Sequence, residues 1–273
     1  MTETAPGEVG IRPERTADPI EARSLVREHG AVILTGCGAG SAAATAVAEA
    51  VFGDEILALP PPAPIRPGPE NAGRLADDGN VRGYAHTDGF AYGDALPDHF
   101  LLLVDHQCPT GGANFLVDGW KLIDHLTEAP ATADLASALS TVPIDQTETG
   151  MHTSLSPIVL RGPDGSPMVR RTIEQKPAPN SGAPMVDAAM IGAWHAAVEE
   201  AANRAPSVRV ESGEAVIVDN RRVLHGRDTY EDPDRALWRV WVWTPLSLDI
   251  PEGQLHSDRR FAWTDAEPGA ERP

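Results

Sequence analysis

The chain has 273 residues, an ordinary apolar share of 41% and a formal net charge of −18 at pH 7. This length suits one large domain or two small ones and can bury a sizeable core. Because binding a phosphate backbone needs a basic face, the charge argues against a nucleic-acid partner. No apolar stretch reaches the length of a membrane span, and the N-terminus lacks the basic start and apolar run of a signal peptide.

The two cysteines, Cys37 and Cys108, form neither a C-x-x-C zinc motif nor a disulfide framework. Together with the composition, this predicts a cytoplasmic protein with no nucleic-acid or membrane partner. The sequence does not indicate the oligomeric state.

The N-terminal third of the sequence predicts two helices, one strand and a long loop. Asp18 followed by Pro19 is typical of a helix N-terminus, and Ser41 can cap the alanine-rich second helix. Prolines between residues 60 and 69 argue against regular structure there, and so long a loop can act as a lid. In chain order we predict a flexible leader (1–16), a helix (18–30), a buried strand (31–34), a helix (41–53) and a lid loop (58–82), with a single domain spanning residues 17–273.

From about residue 83 the sequence changes to short apolar runs separated by turns. Strands are predicted over 100–104, 115–117, 158–161, 168–171, 208–210, 215–218 and 237–243, and helices over 118–126, 131–139 and 186–203, the first of these capped by Asp118. Short strands after a helical section predict an α+β fold with a barrel-like core, a jelly roll or double-stranded β-helix, and flanking α-helices. The mouth of such a barrel is a place where polar ligands converge.

His86, Asp88 and His225 are the candidate metal ligands. The first two are separated by one residue, so on an extended strand they point to the same side. His225 follows a predicted strand and turn, and can approach them from a distant segment. Two imidazoles and one carboxylate on one face are the ligands that non-haem iron(II) oxygenases use. Zinc sites use the same residue types, and a bare H-x-D pair is common by chance, so a zinc protein remains an alternative.

Two arginines, Arg235 and Arg239, follow the last candidate ligand on a predicted strand that also carries three tryptophans. An unpaired charge is costly on such a hydrophobic strand. A planar guanidinium can meet both oxygens of a carboxylate at once. These arginines therefore suggest that an anionic organic co-substrate lies beside the metal.

Several motifs, taken in order, resemble the iron(II)/2-oxoglutarate-dependent oxygenases of the taurine dioxygenase superfamily. They are His-Thr-Asp-Gly-Phe at 86–90, Gly-Gly-Ala-Asn-Phe-Leu-Val-Asp-Gly at 111–119, Asp-Asn-Arg-Arg-Val-Leu-His-Gly-Arg at 219–227 and Asp-Arg-Ala-Leu-Trp-Arg at 234–239. The resemblance covers about residues 80 to 245. It is greatest to the group of clavaminate synthase, carbapenem synthase and γ-butyrobetaine hydroxylase.

The resemblance implies that His86, Asp88 and His225 bind Fe(II), and that Arg235 holds the far carboxylate of 2-oxoglutarate. Arg239 matches an arginine that contacts an anionic group of the substrate, although spacing leaves an exchange of the two arginine roles open. Asn114 stands where many relatives have a threonine that helps to bind the co-substrate, and its amide can donate a hydrogen bond.

The implied reaction uses O2 and 2-oxoglutarate to oxidise an unactivated C–H bond, with hydroxylation as the default and desaturation or cyclisation as other outcomes. We expect a small, carboxylate-bearing, amino-acid-like substrate, with Phe90, Tyr92 and Arg171 as further contacts. The alternatives are a non-catalytic or zinc-binding β-barrel protein that retains the motif, and a catabolic oxygenase acting on a sulfonate or an acyl chain.

Overall fold

The computed structural model describes residues 9–67 and 79–258. Its α-helices are α1 (Pro19–His29), α2 (Ser41–Phe52), α3 (Gly119–Glu128), α4 (Ala133–Thr141) and α5 (Pro184–Arg204). Its strands are β1 (Glu14–Thr16), β2 (Ala31–Leu34), β3 (Ala63–Ile65), β4 (His99–His106), β5 (Asn114–Asp118), β6 (Ile144–Asp145), β7 (Leu155–Ser156), β8 (Val159–Arg161), β9 (Pro167–Val169), β10 (Lys176–Pro177), β11 (Ala215–Asp219), β12 (Val223–Arg227) and β13 (Ala236–Val242).

A six-stranded sheet, in the order β1-β2-β11-β4-β13-β3, forms the framework of the fold. Its side chains alternate between two faces, as the pleat of a strand requires. In β4, Leu101 and Leu103 pack with the apolar residues of α1 and α2. Phe100 and Leu102 face the other way and pack with a cluster that includes Leu116 of β5. The six-stranded sheet therefore lies between two helices on one side and β5 on the other.

Opposite this sheet, β5 and β12 form an antiparallel pair whose register places His225 across from Leu116. The outer side of this pair contributes to a third apolar cluster, centred on Trp194 of α5 and shared with α3 and α4. Two small sheets, β10-β6-β7 and β8-β9, complete the topology. The gap between the six-stranded sheet and the β5–β12 pair is where the candidate site lies.

Most of the predicted elements are confirmed, within a few residues at their ends. Asp18 caps α1 by accepting a hydrogen bond from the backbone of Ile20, and Gly30 ends the helix with a left-handed φ of 84°. Asp118 caps α3 in the same manner. The predicted hairpin is the β8–β9 pair. The structure is a mixed α+β arrangement, as expected from the order of the elements.

The prediction of a flexible leader is wrong for residues 9 to 16. Val9 and Ile11 are only 2% and 8% exposed, and β1 pairs in parallel with β2. Without β1, this edge of the six-stranded sheet would present unpaired backbone groups. The remainder of the predicted leader, residues 1 to 8, lies outside the described residues.

The loop predicted over residues 58 to 82 contains a strand. β3 pairs with β13, and it tolerates Pro64 because it is an edge strand, where a missing N–H costs no sheet hydrogen bond. The segment from 68 to 78 lies outside the described residues, so the predicted lid remains a prediction there.

Two smaller predictions are also wrong. Ser41 begins α2 rather than capping it, because Gly40 occupies the N-cap position without a side-chain hydrogen bond. Residues 208 to 210 form no strand, and Val208 makes only an isolated bridge to Asn114. Among the described residues, no helix has both the length and the hydropathy to cross a membrane.

A substitution of Gly226 tests how closely β12 approaches its neighbours. A Cβ at this position would lie 2.3 Å from Cζ of Phe115 and 2.7 Å from the backbone oxygen of Gly83. We expect Gly226→Ala to lower the free energy of unfolding by about 1–3 kcal/mol. The control is Gly192 in α5, where an added Cβ would meet no atom within 4 Å. Because alanine is a better helix former than glycine, Gly192→Ala should raise the free energy of unfolding by about 0.5–1 kcal/mol. Urea unfolding measures both; equal stability in the two variants would contradict this packing.

Candidate metal centre

His86 and His225 are joined by their backbones. The N–H of each donates to the carbonyl of the other at 2.9 Å, which makes an isolated antiparallel bridge. The two imidazole rings lie 4.3 Å apart, centroid to centroid. His225 lies in the middle of β12, whereas the sequence predicts it at or beyond a strand end. His86 is a single bridged residue and not part of a strand.

Asp88 completes the predicted set. One ligand atom from each of His86, Asp88 and His225 lies within 4.8 Å of the others. Asn220, in the turn between β11 and β12, holds the backbone of Asp88 on both sides. Its Oδ1 accepts from Asp88 N at 2.8 Å, and its Nδ2 donates to Asp88 O at 2.9 Å. The turn that leads into β12 therefore also fixes the loop that carries Asp88.

The Asp88 side chain has different partners on its two oxygens. Oδ1 lies 3.4 Å from Nε2 of His86. Oδ2 accepts from Nε1 of Trp241 at 2.9 Å and lies 3.4 Å from Nη1 of Arg239. Trp241 was not predicted as a site residue, because it fits the apolar pattern of β13. Its position two residues after Arg239, on the same strand face, is the signal that could have identified it.

The protonation states at this centre suit a metal ion. Burial would raise the pKa of Asp88, but the charge of Arg239 beside it holds that pKa well below its usual value. Burial, aided by repulsion from His86, lowers the pKa of His225 to about 3. Near neutral pH the carboxylate is therefore ionised and His225 is neutral, as metal ligation requires.

The ring nitrogens also fit a metal. Nδ1 of His86 lies 2.9 Å from the Tyr84 carbonyl, which can only accept, so Nδ1 carries the proton and the lone pair of Nε2 remains available. Nδ1 of His225 is buried and has no hydrogen-bond partner. Buried polar atoms normally have a hydrogen-bond partner. A metal bound through Nε2 of His86 and Nε2 of His225 would leave the surroundings of both Nδ1 atoms unchanged.

A cavity opens beside the three ligands. Its apolar wall is formed by Ile65, Leu102 and Leu237, and its polar wall includes Asn114, Arg227, Arg235 and Arg239. The cavity thus brings together the three predicted metal ligands and the predicted co-substrate residues. It combines apolar walls with a few convergent polar groups, as small-molecule sites do.

Arg235 is a buried cation that forms no ion pair with a carboxylate of the described residues. It is 3% exposed, its guanidinium stacks on Tyr230 at 4.6 Å, and its Nε has no hydrogen-bond partner. Burial lowers its pKa, but an arginine remains charged in a protein. No carboxylate among residues 9–67 and 79–258 is recorded in an ion pair with it, so a buried positive charge at the cavity wall is left for an anionic ligand.

The turn before Asn114 brings its backbone against Arg235. Gly112 has a positive φ of 65°, and a Cβ there would lie 2.6 Å from Sγ of Cys108 and 3.1 Å from Nε of Arg235. Only glycine meets both conditions without strain. The Gly-Gly turn seen in the sequence therefore allows the close packing around this guanidinium.

Arg239 differs from Arg235 in having its charge balanced. Its guanidinium lies 3.4 Å from both Asp88 and Asp258, and its Nε donates to the carbonyl of Ser257 at 2.8 Å. The two arginines that the sequence could not distinguish are thus distinct in the structure. Arg239 supports the metal-ligand loop, whereas Arg235 has no acidic partner of this kind.

The structure does not bring Phe90, Tyr92 or Arg171 to the lining of this cavity. Phe90 lies under the guanidinium of Arg170, and the hydroxyl of Tyr92 accepts from the backbone of His256. Arg171 binds Glu199 of α5. Each side chain is engaged within the fold, so the geometry of the cavity does not support direct substrate contacts for these three.

Solved structures of similar fold match most of the chain. Asparagine oxygenase (AsnO) aligns with a TM-score of 0.62 and 21% identity, covering 83% of this chain and 77% of that one. The non-heme iron oxygenase OrfP, in complex with Fe and alpha-ketoglutaric acid, gives 0.58 and 15%, covering 82% and 79%. PvcB from Pseudomonas aeruginosa gives 0.58 and 18%, covering 82% and 79%. At these identities the likeness shows a shared fold.

Among curated proteins, none matches the chain. The family model described as "Taurine catabolism dioxygenase TauD, TfdA family" matches residues 12–241, which is well over half of the sequence. On this evidence the chain belongs to the TauD/TfdA family of dioxygenases.

Proposed function

We propose that the protein is a non-haem iron(II)/2-oxoglutarate-dependent dioxygenase that oxidises an unactivated C–H bond in a small, carboxylate-bearing, amino-acid-like metabolite. The observation that carries the proposal is one cavity lined both by a three-ligand metal set and by Arg235, a buried arginine that no carboxylate of the described residues neutralises. Family membership supports the same chemistry.

His86, Asp88 and His225 would hold the iron. Three protein ligands on one face leave the remaining positions for exogenous ligands, as in other oxygenases of this type. Fe(II), when bound, would activate O2, which is the oxidant, with 2-oxoglutarate as the co-substrate that is oxidised together with the substrate. The chain's own contribution is to fix the ligands, to exclude water and to orient the organic molecules.

Arg235 would hold the far carboxylate of 2-oxoglutarate. Its guanidinium can meet both carboxylate oxygens, and Ile65, Leu102 and Leu237 provide an apolar wall for the methylene groups. The amide of Asn114 can donate a further hydrogen bond. The uncompensated charge of Arg235 favours it over Arg239 for the co-substrate. Arg239 reaches the same cavity and remains the candidate for an anionic group of the substrate.

The solved neighbours support an amino-acid substrate and hydroxylation. Asparagine oxygenase was solved with Fe(II), 2S,3S-3-hydroxyasparagine and succinate, and an OrfP variant with (3S)-hydroxy-L-Arg. We further propose a double-stranded β-helix core for the single domain, since the six-stranded sheet faces the β5–β12 pair across the site. A nearer kinship to the clavaminate synthase group remains a prediction.

Removing a ligand tests the metal assignment. With Fe(II) and 2-oxoglutarate under anaerobic conditions, the parent chain should show a weak visible charge-transfer band that air bleaches, and His225→Ala should show none. The control His125→Ala, on α3, should keep the band. A band of parental strength in His225→Ala would exclude the proposed ligand set. A parent chain without a band would favour the zinc-binding or non-catalytic alternative.

A lysine at position 235 tests the co-substrate site. Arg235→Lys keeps the charge but loses the planar fork, so the KM for 2-oxoglutarate should rise about tenfold or more, equivalent to about 1.5 kcal/mol. Arg222→Lys is the control, because Arg222 is also an arginine with little exposure but pairs with Asp118. Steady-state kinetics at saturating substrate give both values. An unchanged KM in Arg235→Lys would contradict the assignment.

A panel of free amino acids tests the substrate class. With Fe(II), 2-oxoglutarate and air, we expect at least one member to gain one oxygen atom or to lose two hydrogens by mass spectrometry, with matching formation of succinate. Reactions without 2-oxoglutarate are the control. No product from any amino acid would exclude a free amino acid and favour a larger, carrier-bound, sulfonate or acyl substrate.

A further inference from the structure

We infer that Trp241 is a positioning residue of the metal centre: together with Arg239 it holds Oδ2 of Asp88 and so fixes the orientation in which Oδ1 faces His86. The inference rests on the proposed function. It concerns how the ligand is oriented, which the identity of the three ligands does not determine.

The two oxygens of Asp88 have separate environments. Oδ2 accepts the indole N–H of Trp241 at 2.9 Å and faces the guanidinium of Arg239 at 3.4 Å. Oδ1 instead faces Nε2 of His86, another of the three candidate ligands. A rotation of the carboxylate would move Oδ2 away from both donors. A hydrogen bond to an ionised acceptor is among the stronger ones in proteins, so this rotation is costly.

Trp241 itself has little freedom to follow such a rotation. It is 2% exposed, and its ring meets Tyr92 and Trp243 edge-on, with centroids 6.0 and 6.4 Å away. Its backbone N–H donates to Oγ of Ser257 at 3.1 Å. A donor whose rotamer is fixed by packing defines the orientation of the group that it binds.

Arg239 is fixed in the same way. Its guanidinium stacks on the ring of Trp241 at 4.9 Å and is bound by Ser257 and Asp258 on its other side. The segment at 257–258 thus contacts both of these β13 residues and holds them in place. Held by two such donors, Asp88 keeps Oδ1 turned toward His86, where it would be available to a metal ion.

The residue that follows β13 offers a matched control for Trp241. Trp243 is also buried and also donates its indole N–H, but to the carbonyl of Ala95 at 2.9 Å. Trp241→Phe and Trp243→Phe therefore each remove one indole N–H from neighbouring positions, and thermal unfolding of the two variants measures the structural cost. Only the first substitution removes a bond to a metal ligand.

The test uses Co(II) in place of Fe(II), because its visible spectrum reports coordination and needs no turnover. Trp241→Phe should weaken Co(II) binding about 10- to 100-fold, as loss of a partner behind a metal ligand does, and should change the Co(II) absorption bands. Trp243→Phe should keep both the parental affinity, within about twofold, and the parental spectrum.

Parental affinity and spectrum in Trp241→Phe would overturn the inference, and so would equal changes in both tryptophan variants. If Trp241→Phe does not fold, Arg239→Gln decides: weaker Co(II) binding supports the inference and unchanged binding overturns it. A parent chain that binds no Co(II) would overturn the proposed function itself. A parent that binds Co(II) while the Trp241 variant binds it equally well rejects only the positioning role.

Discussion

The reciprocal backbone bridge between His86 and His225 is the constraint on which the site depends. Two segments far apart in sequence are held at a fixed distance by main-chain atoms, so the separation of the imidazoles does not rely on side-chain packing alone. Asn220 extends the same arrangement to Asp88. Substitutions that push β12 away from its neighbours should therefore disturb the metal centre without touching a ligand.

The candidate site carries positive charge although the chain as a whole is strongly acidic. Three arginines line a cavity in a protein of net charge −18, and they are not equivalent. Arg239 is balanced by Asp88 and Asp258, whereas Arg235 stacks on Tyr230 with no carboxylate recorded beside it among the described residues. An uncompensated buried charge destabilises a protein unless a ligand neutralises it. This asymmetry gives the cavity one strong site for an anion.

Local signals in the sequence predicted much of the fold, because helix caps and strand periodicity depend on nearby residues. The three candidate metal ligands were instead implied by the family resemblance, and the structure brings their side chains together. Features that depend on distant pairing were not predictable. Val9 and Ile11 are buried because Gly10 and Ile11 bond to the backbone of β5 and the two apolar side chains join separate core clusters. The same holds for the hydrogen bond from Trp241 to Asp88, since periodicity places an indole on a strand face but does not identify what its N–H reaches.

A crystal structure of the chain with Fe(II) and 2-oxoglutarate, solved without oxygen and with anomalous data at the iron edge, tests the central claim most directly. We expect one iron site bound by His86, Asp88 and His225, with the far carboxylate of 2-oxoglutarate on Arg235. An iron position away from these three side chains, or a co-substrate carboxylate bound elsewhere, would contradict the account.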